Sequence, residues 1–198
     1  YYGNHEPAKK RNFCLKQSYM DIVLHNYVMP NQMPGEKIIK DSLGNQTFES
    51  YILNKINLHI GLTDKELCHR YDREYNNNKA QWNDLAFRML GIKSNQAEEF
   101  IKANIVVKTI RIEENGKNKE SMSFPAFKFK ELAEETWENS TIYNYFETTK
   151  FLFVVFKKKG NEYILSGSKL WNMPYNDLNR TVKYEWQNIH DTIVDGVS

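Results

Sequence analysis

An α+β fold is predicted by the order of the hydrophobic patterns. Apolar residues recur at four-residue spacing through most of the first half, and apolar runs of strand length follow before a last helical pattern closes the chain. Asn- and Gly-rich breaks punctuate these segments where turns are needed. A chain of 198 residues that is 40% hydrophobic and 14% aromatic can bury one large core, with room for an appendage.

From Leu15 to Val28, Tyr19, Val23 and Tyr27 share one helical face, and the helix ends before Pro30. The segment NQMPGEK carries Pro34 and Gly35, so a boundary separates residues 1–34 from 35–198. Phe48, Ile52 and Ile56 mark the next helix, with Thr47 as its cap. Thr63 and Glu66 have capping-box spacing and open a short helix through Leu67 and Tyr71. The polar run NNNKAQ precedes a helix carrying Trp82, Leu85 and Met89 and closed by Gly91. These three helices are expected to form a helical subdomain.

The run NIVVKTIRI, Asn104 to Ile112, is a strand, and EENGK, Glu113 to Lys117, is a hairpin turn because Asn-Gly tolerates positive φ. Phe151 to Phe156 is the buried centre of a sheet, with a partner strand around Tyr163 to Leu165. The last helix places Val182, Trp186, Ile189 and Ile193 on one face, with Gly196 as its stop signal.

A net charge of +2 permits a nucleic-acid partner without requiring one. Charge is uneven: Lys9, Lys10, Arg11 and Lys16 face a single acid, Glu6, within residues 1–20, which fits either a solvated end or a contact with DNA. Cys14 and Cys68 form neither a disulfide framework nor a metal-ligand spacing, so the cytoplasm is the expected compartment. No apolar stretch reaches the length of a membrane span. His5, His25, His59, His69 and His190 are scattered and read as structural or surface residues. The four tryptophans, Trp82, Trp137, Trp171 and Trp186, read as core rather than base-stacking platforms.

The chemistry-bearing stretch is NIVVKTIRI. Many metal-dependent DNA-cutting domains end a strand in acid-x-Lys, where the acid helps to hold Mg²⁺ and the Lys orients or activates the attacking water. Here Val106 takes the acid's place while Lys108 remains. A hard cation needs oxygen ligands, which a branched hydrocarbon cannot supply.

NIVVKTIRI, followed by KESMSFPAFKFKELAEETWE, KFLFVVFKKKG and SKLWNMPYNDLNRTVKYEWQNIHDTIVDGV, resembles the second half of the Sau-type type II restriction endonucleases, which cut at GATC. They share a superfamily with MutH, the strand-nicking endonuclease of mismatch repair. The resemblance runs from about Phe13 to the end and is most specific from Ile105 to Trp137. It implies a MutH-like restriction-endonuclease fold, a mixed central sheet flanked by helices, with a degenerate active site. Sau-type enzymes contain an amino-terminal MutH-like domain that cuts and a carboxy-terminal one that binds DNA and regulates cutting; this chain is similar to the second.

In the family's cutting domains an Asp lies seven residues before the acid of the strand, and a helix further upstream bears a Glu near a Gly. Those positions fall on Glu99, Val106 and Phe87, the last ahead of Gly91, so the resemblance implies no catalytic residue and no metal in this domain, with Mg²⁺ expected in the cutting domain of the parent enzyme. Residues 1–34 are then the tail of that upstream domain and a linker. Their FCLKQSYM string is similar to a terminal helix of the family, with Cys14 standing where MutH has a base-contacting tyrosine. Residues 35–198 become a DNA-binding effector domain, expected to be incomplete at its carboxy terminus.

The DNA-binding candidates are Lys16, Lys108, Arg111, Lys119, Lys128 and Lys130. The expected partners are double-stranded DNA containing GATC, the upstream catalytic domain of the same chain, a second copy in a DNA-induced dimer, and no membrane. Two other readings stay open: an active Mg²⁺-dependent nuclease whose ligands include Glu98, Glu99 or Glu113, and a structural or dimerisation domain.

Overall fold

The computed structural model describes residues 15–28, 36–40, 42–76 and 78–197. The chain divides into two compact units, Tyr1–Gly35 and Glu36–Ser198. The punctuating Pro34 and Gly35, Cys14, His5 and the basic run Lys9 to Arg11 lie outside the described residues. In the first unit, helix α1 spans Gln17–Tyr27, close to the span expected from its apolar spacing.

The second unit begins with helices whose ends are set locally. In α2 (Phe48–Asn57) the Thr47 hydroxyl accepts from the Ser50 N–H, satisfying one of the donors that a helix start leaves unpaired. α3 (Asp64–Arg70) opens on a complete capping box: the Glu66 N–H donates to Thr63 Oγ1 at 3.2 Å and the Thr63 N–H to Glu66 Oε2 at 2.8 Å. α4 (Lys79–Leu90) stops at Gly91, whose φ of 79° is left-handed and disfavours any residue bearing a Cβ. A short α5 (Glu98–Ala103) ends at Asn104, also left-handed at φ 49°, and turns directly into the sheet.

The sheet has three strands in the order β1 (Ile105–Ile112), β2 (Lys150–Lys159) and β3 (Glu162–Asn172). β1 pairs parallel with β2, in a register that sets Lys108 opposite Phe153. β2 pairs antiparallel with β3, setting Phe153 opposite Lys169. The mixed sheet flanked by helices is thus present, with the apolar run Phe151 to Phe156 on its central strand. A bulge at Ser166 of β3, opposite the Val155–Phe156 step, restores the alternation of faces. The parallel β1–β2 connection passes through α6 (Phe129–Ala133), a 3₁₀ turn (Trp137–Asn139) and α7 (Thr141–Thr148).

Each face of the sheet carries its own core. On the first, Ile105 and Val107 of β1 and Leu152, Val154 and Phe156 of β2 pack with residues of α2, α3 and α4, among them Ile52, Leu67, Trp82 and Leu85. The expected helical subdomain is therefore corrected. These helices share one core with the sheet because their apolar faces find their burial against it. On the second face, Phe151 packs with Trp137, Phe146, Leu178 and Trp186, flanked by Val106, Phe153 and Trp171. A single large-to-small change such as Leu152→Ala in the first core removes about 2–5 kcal/mol.

Two further expectations are adjusted. The EENGK turn forms, with the Glu113 N–H donating to the Lys117 carbonyl at 2.8 Å and Gly116 at φ 78°. Beyond it the chain makes one bridge, Ile112 with Asn118, and no strand, so the hairpin is rudimentary. The last helix is built as α8 (Tyr175–Asp177), a π-helical turn (Leu178–Val182) and α9 (Lys183–Val197). Gly196 lies inside α9 rather than stopping it: glycine weakens a helix interior by about 1 kcal/mol, which does not break a terminal turn.

Candidate nucleic-acid interface

β1 is an edge strand, and its alternation decides which side chains can act together. Ile105, Val107, Thr109 and Arg111 point to the first face, and Val106, Lys108, Ile110 and Ile112 to the second. Beside it runs a cleft of 720 Å³, lined by Lys79 and Asn83 of α4, by Lys108 to Arg111 of β1, and by Asn118 to Ser123. The Lys108 ammonium donates to the Ser123 carbonyl at 2.7 Å and stands 6.0 Å from the centre of the Phe124 ring. Burial, and then repulsion from Lys79, push its pKa below the usual lysine range. Lys108 is thus a fixed, half-buried cation at the mouth of a polar cleft.

The residues around Lys108 do not fit a divalent cation. Val106 offers hydrocarbon packed against the second core. Both oxygens of Glu99 are committed, accepting from the Ile38 N–H at 3.0 Å and the Ile39 N–H at 2.9 Å, so this carboxylate pins the start of the second unit. Glu98 is buried and paired with Lys102 at 2.6 Å and Lys37 at 3.5 Å. Glu113, at the far end of β1, accepts from the Tyr163 hydroxyl at 2.5 Å and pairs with Lys158 and Lys119; these bonds lower its pKa to about 2. Among the described residues no group of three or more His, Cys, Asp or Glu side chains converges as a metal site.

Phe87 packs against the first core while Val106 and Lys108 face the second, although Lys79 and Asn83 of the same helix share the cleft with Lys108.

The basic candidates also divide. Arg111 is no surface contact: its side chain is only 8% exposed, its guanidinium lies 3.9 Å from the Trp82 ring centre and 5.4 Å from that of Tyr163, and it pairs with Glu120. The first-face position of Arg111 drives it into the core, and burial pushes its pKa down. Lys119 pairs with Glu113 at 3.2 Å and Lys128 with Glu131 at 2.6 Å, so both are already partly neutralised. Lys130 is exposed on α6, and Lys16 is exposed at the start of α1 in the other unit.

Three exposed lysines escaped the sequence reading: Lys157, Lys159 and Lys169. Their signal was available in the period of two, which puts Lys157 and Lys159 on one face of β2 together with Phe153 and Val155.

His69 is at the surface, and the other histidines and tryptophans with described contacts are structural. His59 bonds Tyr71 Oη at 2.8 Å, His190 stacks on Trp186, and Trp82, Trp137 and Trp186 are buried. No helix among the described residues is long and apolar enough to cross a membrane.

Known proteins resemble this chain in sequence. The family described as DNA mismatch repair enzyme MutH matches residues 90–183, which contain all three strands and the cleft wall from Lys108 to Ser123 but not its α4 wall. The type II restriction enzyme Sau3AI of Staphylococcus aureus is 33% identical over 208 residues, an alignment covering 96% of this chain; the chain spans 42% of that relative's length. The mixed sheet, the edge strand bearing Lys108 and these two likenesses together support a Sau/MutH-like endonuclease domain.

Proposed function

We propose that this domain binds duplex DNA containing GATC and acts as an effector domain of a type II restriction endonuclease, without cutting DNA itself. The observation that carries the reading is Val106, a hydrocarbon packed into the second core two residues before the retained Lys108. The engagement of Glu99 by two backbone N–H groups supports it, since that carboxylate already holds the Ile38 and Ile39 backbone. Cutting and Mg²⁺ then belong to an upstream catalytic domain of the same chain in the cytoplasm, and occupancy here biases that domain through coupling between two DNA sites. A DNA-induced dimer is one arrangement through which such coupling acts.

Lys108 supplies a positive charge at the cleft mouth, and phosphate contacts there position the duplex without reading its sequence. The alternative nuclease reading, built on Glu98, Glu99 and Glu113, is disfavoured because those groups sit at opposite ends of β1 and are held by other partners.

The test is a titration of full-length enzyme acting on a one-site plasmid with a short GATC duplex. Stimulation at low duplex concentration is expected. Competitive inhibition from the first addition refutes the effector role. Specific, metal-dependent linearisation of GATC plasmid by the 198-residue chain alone refutes its catalytic silence.

A further inference from the structure

The second face of the sheet is only half covered. Its core residues Phe151, Phe153, Val106 and Trp171 lie toward the amino-terminal ends of β1 and β2. Beyond them Ile110, Ile112, Val155 and Ile164 are half-exposed and belong to neither core. Register brings Lys108, Phe153 and Lys169 into one rank across the three strands, and Ile112, Lys157 and Ile164 into another; Lys159 follows opposite Glu162. A partly buried apolar sheet face framed by four lysines results.

Lys157, Lys159 and Lys169 are exposed and have no carboxylate partner among the described residues. The acids nearest in register are already engaged: Glu162 pairs with Lys65 at 3.0 Å, and Glu114 accepts from the Gly160 N–H at 2.6 Å. The chain as a whole is close to neutral, so this concentration of unpaired cations is local.

Two strand spacings of ~4.8 Å separate Lys108 from Lys169, and six residues at ~3.3 Å carry β2 from Phe153 to Lys159. Over that length of about 20 Å a B-form duplex presents roughly twelve phosphate charges.

We propose that this end of the sheet, bearing the exposed Lys157, Lys159 and Lys169 beside Lys108, is the track for the sugar-phosphate backbone of duplex DNA. The proposal rests on the DNA-binding reading above and assigns its electrostatic part to residues outside the cleft. Lysine stems are long enough to lie over the partly buried Ile and Val side chains while keeping their ammonium groups in solvent. The face contributes affinity and no sequence preference, because phosphate contacts carry no base information.

The experiment compares the 198-residue chain with a Lys157→Gln/Lys159→Gln/Lys169→Gln variant and with the corresponding triple Arg variant. Binding to labelled 20-base-pair duplexes, one with GATC and one scrambled, is read by fluorescence anisotropy across a salt series. The Gln variant is expected to bind both duplexes at least tenfold more weakly, with the log–log salt slope reduced by about 2 to 3, near 0.9 per phosphate contact. The Arg variant should keep the parental slope, which separates lost charge from lost folding. Parental affinity and slope in the Gln variant overturn this surface alone. Failure of the unaltered chain to bind any duplex overturns the DNA-binding reading and the surface with it. Displacement of the duplex by polyglutamate as effective as by unlabelled duplex assigns the face to an acidic protein and also overturns the proposal.

Discussion

Replacing Arg111 with Met separates the core from the interface, because sequence and structure assign this residue opposite roles. Its guanidinium lies against Trp82 at 3.9 Å and is almost wholly buried, and a cation desolvated over an indole face contributes about 1–2 kcal/mol. The ion pair with Glu120 adds about 1 kcal/mol, an amount discounted because that carboxylate is 31% exposed and can rehydrate. Glu120 also keeps Lys79 at 3.6 Å, so it is not stranded. Methionine retains much of the stem's packing, which leaves a loss of about 2–3 kcal/mol in total. Urea unfolding followed by tryptophan fluorescence measures it directly. The same variant should bind duplex DNA with an unchanged salt slope under conditions where it stays folded. A stability change below about 0.5 kcal/mol, or a slope reduced by a full phosphate contact, refutes the placement of Arg111 in the core.

Lys108→Ala should weaken binding to GATC and scrambled duplexes alike and lower the salt slope by about 0.9, so its deficit shrinks about 3.5-fold between 50 and 200 mM salt; an unchanged slope removes Lys108 from the interface. Val106→Glu should give no cleavage with Mg²⁺ or Mn²⁺, since Glu99 stays bonded to Ile38 and Ile39 and Phe87 offers no oxygen ligand; plasmid linearisation by this variant counts against that reading. Glu113 has a folded pKa depressed to about 2, so its stabilising contribution is full above the ordinary carboxylate range and is lost as pH falls from about 4.5 toward 2. Tyr163→Phe removes the leading cause and should raise the Glu113 pKa toward its ordinary value in a carboxyl-carbon NMR titration, with the acid limb of unfolding moving to higher pH; an unmoved titration contradicts the assignment.

Local chemistry was the most readable part of the fold. Thr63 and Glu66 form their capping box from residues three apart, and Gly91 ends α4 through its own φ, so neither needed knowledge of the tertiary structure. Gly196 misled for the complementary reason: residue type permits a stop there without imposing one. Phe87 and Val106 could be matched to family positions along the sequence, but which side of the sheet each occupies depends on how α4 docks, a long-range outcome. Arg111 looked like a surface cation until Trp82 and Tyr163, distant in sequence, closed over it. Lys157 and Lys159 escaped the sequence reading although their alternation already grouped them; what the sequence lacked was the sheet register that brings Lys169 and Lys108 alongside.

The order of pairing in the sheet also sets the order in which it can be built. β2 and β3 are neighbours in sequence, joined through Gly160 and Asn161, and a hairpin of this kind closes in about 1–10 μs. β1 must instead reach β2 across the whole connection from Glu113 to Thr149, a closure whose entropy is lost before any pairing repays it. Until β1 arrives, the outer edge of β2 presents FLFVVF, Phe151 to Phe156, as an unpaired apolar template for strands of other chains. The three lysines that follow at once, Lys157 to Lys159, are gatekeepers in that interval: like charges stacked in register repel, which keeps the nascent hairpin from recruiting copies of itself.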